Sequence, residues 1–238
     1  MSGPLRGRPV ALVTGAAGLL GRALDERLRA DGFDVLGLDV RGDVDIVADL
    51  ARDLPPDPRF AEVDVVVANA AILDSVAAAH AVEFAEFQRV VEVNLNGAFR
   101  VIQACLPGMR ARGHGRIIAI ASAAAVLGLN LQISYAASKA GLLGLVKTLA
   151  IEGGPYGITA NAVLPGLFGP EAGPLPAGLG NLVAAGRTAS AAEIAHVVAF
   201  LAGEHAAYIT GQQLGVDGGL GLSPTSLHAP EPAPGSSA

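Results

Sequence analysis

A chain of 238 residues, half of them apolar and only 16% charged, has room for one α/β core and no comfortable room for two. A net charge of −6 with no run of lysine or arginine excludes a surface built for nucleic acid or an anionic membrane, and leaves a small molecule as the expected partner. Tryptophan is absent and aromatics make up 4%, so alanine, valine, leucine and glycine must build the interior, which suits helices packed closely on a parallel sheet.

The first residues, Met1 to Pro9, carry arginines but lead straight into a strand-like run, without the apolar core and cleavage site of a signal peptide. Longer apolar stretches are interrupted well short of a membrane-spanning length, and the expectation is a soluble, cytoplasmic protein. Val10 to Val13 reads as a strand, Thr14 to Gly18 as a glycine-rich turn, and Leu19 to about Asp31 as an amphipathic helix. Val35 to Leu38 then ends in Asp39, Val63 to Val67 in Ala68-Asn69-Ala70, and Ile117 to Ile120 in Ala121-Ser122, as parallel strands do at their carboxyl edge. Between Asp49 and Glu62, Pro55, Pro56 and Pro58 remove backbone donors, which predicts a short or irregular crossover.

Helical periodicity is strongest over Phe84 to Arg112, Tyr135 to Glu152 and Ala191 to Ala202. Cys105 falls in the first of these and reads as a buried structural thiol in a reducing compartment. The alternation of strands and helices predicts an α/β fold, a Rossmann-type doubly wound parallel sheet flanked by helices on both faces. Residues 1–222 form a single dinucleotide-binding domain in this reading, and residues 223–238, rich in Pro, Ser and Ala, a disordered tail.

Glycines after a first strand let the main chain approach a pyrophosphate, and the following helix offers unpaired amides and a favourable dipole. Gly15, Gly18 and Gly21 have that placement, although a plain strand-to-helix turn would look similar. Asp39 ends the second strand roughly 20 residues on, where a carboxylate accepts from ribose hydroxyls and repels a 2′-phosphate. The plainer reading of Asp39 is a turn cap. Tyr135 and Lys139 lie four residues apart on one helical face, so that a phenol and an ammonium address one place; taken alone, such a pair is an ordinary surface feature. Ser122 stands 13 residues before Tyr135 at a strand end.

Thr14-Gly15-Ala16-Ala17-Gly18-Leu19-Leu20-Gly21, with Ser122 and Tyr135-Ala136-Ala137-Ser138-Lys139, resembles the short-chain dehydrogenase/reductase family from about Val10 to Gly219. Leu19 stands where the compact branch usually has glycine, a spacing shared with the longer branch that includes sugar-nucleotide epimerases; the chain length fits the compact one. The resemblance implies an NAD-dependent oxidoreductase acting on a secondary alcohol or ketone. In it Ser122 hydrogen-bonds the substrate oxygen, Tyr135 exchanges the proton, and Lys139 binds the nicotinamide ribose and lowers the tyrosine's pKa. Asn94, favoured over Asn96, would hold a relay water.

The same resemblance assigns cofactor contacts to Gly15, Gly18, Leu20 and Gly21, to Asp49 and Leu50 at the adenine, to Asn69 and Ala70 beneath the cofactor, and to Pro165 and Gly166 beside the nicotinamide. The threonine usual after the last pair is missing from Leu167-Phe168-Gly169-Pro170, which shifts nicotinamide anchoring toward main-chain groups, and Val216-Asp217-Gly218-Gly219 reads as structural. It also implies a homotetramer paired through the two long helices. Leu167 to Arg187, with three prolines, five glycines and few charges, reads as a short mobile lid over an uncharged substrate. The five histidines show no metal-ligand spacing, and no metal is expected. Two alternatives remain: a dinucleotide-sensing regulatory protein that has lost turnover, and an epimerase or dehydratase suggested by the glycine spacing.

Overall fold

A computed structural model describes residues 7–52, 54–73, 76–176, 179 and 182–222. The expected tail, 223–238, lies outside the described residues, as do positions 177, 178, 180 and 181 of the expected lid. The chain opens β1 (Val10–Thr14), α1 (Leu19–Ala30), β2 (Asp34–Asp39), β3 (Ile46–Val47) and, after a 3-10 turn at Pro58–Glu62, β4 (Val65–Ala68). It continues α2 (Phe84–Val91), a π-helical turn (Glu92–Gly97), α3 (Ala98–Arg112), β5 (Gly115–Ile120), α4 (Ala124–Leu127) and α5 (Ile133–Gly153). It closes with β6 (Ile158–Pro165), β7 (Phe168–Gly169), β8 (Ala189–Ser190), α6 (Ala191–Ala202) and β9 (Gln213–Val216).

Among the described residues seven strands form one sheet in the order β3-β2-β1-β4-β5-β6-β9, every neighbouring pair parallel. Because successive side chains point to opposite faces, each central strand feeds two cores. Leu12, Val66 and Ile117 pack with Val101, Cys105 and Val146 of α3 and α5. Val13, Val65 and Ile118 pack with Leu24 and Leu28 of α1 and Ile194 and Val198 of α6. Both faces being covered, the strands read as continuous apolar runs rather than as alternating ones. Strand order reverses between β1 and β4, and the crevice beyond the carboxyl ends at that point is where a doubly wound sheet binds its ligand.

Among the described residues the proline-rich crossover holds only the 3-10 turn, as its missing donors predict. The long helical stretch from Phe84 is one run in sequence but is divided by the π turn. α6 starts with a reciprocal cap in which Ser190 Oγ accepts from Glu193 N at 3.2 Å and the Glu193 carboxylate accepts from Ser190 N at 2.8 Å. Cys105 is fully buried in α3, and desolvation pushes its thiol up to about 12, as befits a packing residue and not a nucleophile. No helix among the described residues is long and apolar enough to cross a membrane.

Candidate active site

A cleft of about 710 Å³ opens at the carboxyl ends of β1, β2 and β4. Of the residues expected to hold a cofactor, Gly15, Gly18, Leu20, Gly21, Asp39, Asp49, Leu50, Asn69 and Ala70 line it. A separate cavity of about 430 Å³ between α3 and α5, bordered by Gln103, Arg110 and Glu152, touches none of them.

The turn fits a dinucleotide pyrophosphate on two counts. Gly15 has φ +67°, and a Cβ there would lie 2.9 Å from both Ala70 Cα and Asn69 Nδ2; a Cβ on Gly21 would lie 2.1 Å from Gly15 O. Glycine is therefore required for α1 to close on the turn. No side chain caps α1 at Gly18, so its first amides and its dipole are open to an anion in the cleft. Thr14 Oγ1 accepts from the main-chain amides of Asn69 and Ala70, each at 2.9 Å, and Asn69 Nδ2 donates to Thr14 O at 2.8 Å. These bonds strap the end of β4 to the turn, so Asn69 braces the cradle as well as lining it.

Asp39 caps the turn and faces the cleft. Its Oδ2 accepts from Ala17 N at 3.0 Å and its Oδ1 from Arg41 N at 3.4 Å, capping the turn, while the residue still faces the cleft. A carboxylate has about four acceptor positions, so two such bonds leave room for ribose hydroxyls. Asp49 Oδ1 accepts from Ala51 N at 3.0 Å, and Leu50 is buried with its carbonyl held by Arg100.

Tyr135, Lys139, Ser122, Asn94, Pro165 and Gly166 do not line that cleft; all but Asn94 gather around the ends of β5 and β6, and Asn94 sits in the π turn against Ile72 and Ser138. Ser122 follows β5; its Oγ accepts from Ala124 N at 3.1 Å, and its hydroxyl favours the ionised form of the Tyr135 phenol. Ala123 N donates to Pro165 O at 3.0 Å, which sets the Pro165-Gly166 turn beside Ser122. Gly166 is needed because a Cβ there would sit 2.8 Å from Asp217 Cα. Asp217 accepts in turn from Gly219 N at 3.0 Å, in keeping with a structural role for that motif.

Lys139 is only 2% exposed, one helical turn beyond Tyr135. Its Nζ donates to Ile120 O at 2.6 Å and lies 5.7 Å from the centre of the Tyr135 ring. Burial pushes its pKa down to about 8, because the charged form loses its hydration. Contrary to the expectation that the lysine lowers the tyrosine's pKa, burial holds the Tyr135 phenol above its ordinary value, and the group that offsets this is the Ser122 hydroxyl. The physical reason is the order of titration: burial brings Lys139 down to about 8 and raises the phenol, so the lysine gives up its proton before the phenol ionises and no ammonium faces the phenolate.

Asn94 is buried in the π turn and fully bonded. Its Oδ1 accepts from Ile72 N at 2.8 Å, and its Nδ2 donates to Ile72 O at 3.0 Å and to Ser138 Oγ at 3.1 Å. Ser138 Oγ donates to Tyr135 O at 2.8 Å, so the asparagine is joined through Ser138 to the helix that carries the tyrosine. Asn96 bonds Glu92 on the surface instead. Reading the sequence did not single out Ser138, Thr14, Arg41 or Phe168, the last two of which also line the cleft. Thr14, Ser138 and Phe168 sat inside motifs already marked; Arg41 did not.

A strap-bound glycine turn at a sheet's switch point, with a buried lysine one helical turn from a tyrosine at the same edge, fits a dinucleotide-dependent oxidoreductase, and the chain belongs to the short-chain dehydrogenase/reductase family. The family model described as enoyl-(acyl carrier protein) reductase matches residues 13–221. The 3-oxoacyl-[acyl-carrier-protein] reductase FabG of Escherichia coli (strain K12) is 38% identical, with 89% of this chain and 96% of that protein aligned. The corresponding reductase MabA of Mycobacterium avium is 35% identical over 91% of this chain and 93% of its own. The crystal structure of a short-chain dehydrogenase/reductase family oxidoreductase from Burkholderia thailandensis superposes with a TM-score of 0.80 at 33% identity, covering 92% of this chain and 94% of that one.

Proposed function

We propose that the protein catalyses reversible hydride transfer between NAD and a secondary alcohol or ketone, with Tyr135 as the acid/base. The observation that carries this reading is the buried ammonium of Lys139 5.7 Å from the centre of the Tyr135 ring, one helical turn on, with the Ser122 hydroxyl acting on the same phenol. Nicotinamide, when bound, supplies the hydride chemistry. Ser122 orients the substrate oxygen; Tyr135 donates its proton to a carbonyl or accepts one from a carbinol; Lys139 holds positive charge beside the phenol and the ribose. Asn94 and Ser138 position α5. The reaction named for the FabG and MabA relatives, reduction of a 3-oxoacyl group, is one member of this class. Appearance of reduced cofactor on adding a secondary alcohol, followed by absorbance, tests the reading; a full alcohol and ketone panel giving no cofactor-dependent turnover overturns it.

Asp39 makes NAD the expected cofactor, since its carboxylate accepts from a 2′-hydroxyl but repels a 2′-phosphate. Arg41 favours the second reading, NADP, because it lines the same cleft two residues on. Titration of both cofactors is expected to show tighter NAD binding, and Asp39→Ala to narrow the difference; equal or tighter NADP binding by the parent overturns the assignment. A homotetramer in the cytoplasm belongs to the same proposal. Phe99 on α3 and Ile151 on α5 are exposed, the second 78% so, and they are the kind of residues a twofold helix interface buries. Sedimentation at micromolar concentration should give a species near four chain masses, and a stable monomer would contradict it.

A further inference from the structure

β3 is an edge strand of two residues, paired to β2 through Ile46 and Val47. Such a strand has few ladder bonds with which to hold the chain that leaves it, and residues 49–51, which follow it, line the cofactor cleft. Bonds within this loop are local: Ala51 N donates to Asp49 Oδ1 at 3.0 Å, and Arg52 N to Asp49 O at 2.9 Å. A tie from outside comes from Arg100 of α3, whose Nη1 donates to Leu50 O at 3.0 Å.

Arg100 is itself held. Its Nη2 donates to Glu92 Oε1, and Asn96 Nδ2 donates to Glu92 Oε2 at 2.6 Å, so one carboxylate of the π turn anchors both side chains. These two donors hold the Glu92 carboxyl below its usual range, which keeps the ion pair intact at neutral pH. The turn and the loop are also in steric contact. A Cβ on Gly97, the last residue of the turn, would lie 2.7 Å from Leu50 Cβ and 2.9 Å from Leu50 O. Loop and turn therefore meet with no room for a side chain between them, and the same turn carries Asn94 with its bonds to Ile72 and Ser138.

We infer that Arg100 is a positioning residue for the cofactor: its planar fork, braced by Glu92, fixes the loop of residues 49–51 at the part of the cleft where the adenine is expected. This rests on the oxidoreductase reading above and deepens it. Arg100 acts through Leu50 O, whereas Ser122, Tyr135 and Lys139 lie outside the cleft that this loop lines. Its loss therefore costs cofactor affinity and not chemistry. A lysine carries its charge on a single nitrogen and lacks the fork that spans the Leu50 carbonyl and the Glu92 carboxylate, so it replaces the arginine only in part.

The experiment titrates the fluorescence of NADH, or of NADPH for a parent that prefers it, and measures its displacement by AMP. It uses the parent, Arg100→Met, Arg100→Lys and Gly97→Ala, with melting temperatures beside each titration. Expected in Arg100→Met are Kd values for reduced cofactor and for AMP raised about tenfold, with a smaller rise in Arg100→Lys. Gly97→Ala, whose added methyl pushes the loop away with every charge kept, should also weaken both by about tenfold. On a substrate the parent uses, KM for the cofactor should rise with Kd while kcat at saturating cofactor stays within about twofold. Should Arg100→Met not fold, the other two variants decide between the same outcomes. Unchanged Kd values in the folded variants, with or without a lower melting temperature, overturn the positioning inference and leave the oxidoreductase reading standing; so does a fall in kcat without a rise in KM. A parent that binds neither reduced cofactor overturns both.

Discussion

Tyr135→Phe is expected to fold, to bind NAD nearly as tightly as the parent and to lose turnover by about 10²–10⁴-fold, the range for removal of a positioned proton donor. The substitution keeps the ring and removes only the hydroxyl. Ser122 Oγ still accepts from Ala124 N at 3.1 Å, so no buried polar group is stranded there. The helix is unaffected, since Tyr135 O keeps its bond from Ser138 at 2.8 Å. Steady-state kinetics on a substrate the parent uses, beside a cofactor titration, separates chemistry from binding; substantial turnover by the variant would overturn the assignment of the acid/base even with the fold correct.

Lys139→Met should abolish most turnover and weaken cofactor binding, and its effect on stability should depend on pH in a defined direction. In the folded chain the lysine titrates near about 8 against an ordinary 10.5, which corresponds to about 3 kcal/mol of destabilisation by the buried ammonium. Above pH 10.5 the amine is neutral in folded and unfolded chains alike, and the penalty is absent. Between 10.5 and 8 the unfolded chain takes up the proton and the folded one does not, so the parent loses stability as pH falls, and below 8 the full penalty is present. The methionine variant has no such term. Relative to the parent it should therefore gain about 3 kcal/mol on going from pH 10.5 to pH 7, on top of a constant loss from leaving Ile120 O without its donor. Tyr135 titrates in both proteins and cancels in the comparison. Denaturant melts of both proteins across this range test it, and a pH-independent difference would show that the ammonium is not desolvated as the structure has it.

The cavity between α3 and α5 lies away from every residue expected to hold the cofactor. The cleft lined by the expected cofactor residues lies at the carboxyl edge of the sheet, where strand order reverses between β1 and β4.

Features that depend on neighbours in the chain were legible from the residues alone. A strand, glycine turn and helix from Val10 to Ala30 follow from apolar period and glycine placement, and the four-residue spacing of Tyr135 and Lys139 puts both on one face of α5 whatever surrounds it. The short crossover at Pro58–Glu62 follows from missing amide donors. β6 was not foreseen, because Thr159, Asn161 and Pro165 break its apolar run; it is a strand through pairing with β5 and β9, where Asn161 bonds Ile209 and Gln212. Nor does any local pattern mark the π turn that brings Asn94 to Ile72 and Ser138, or the left-handed Leu131. The charge state of the Tyr135–Lys139 pair was beyond the sequence for the same reason. Spacing says that two groups share a face, but how far burial raises a phenol and lowers an ammonium is set by desolvation, and that depends on β5, β6 and the loops that cover them, segments distant in the chain and joined only when the sheet forms.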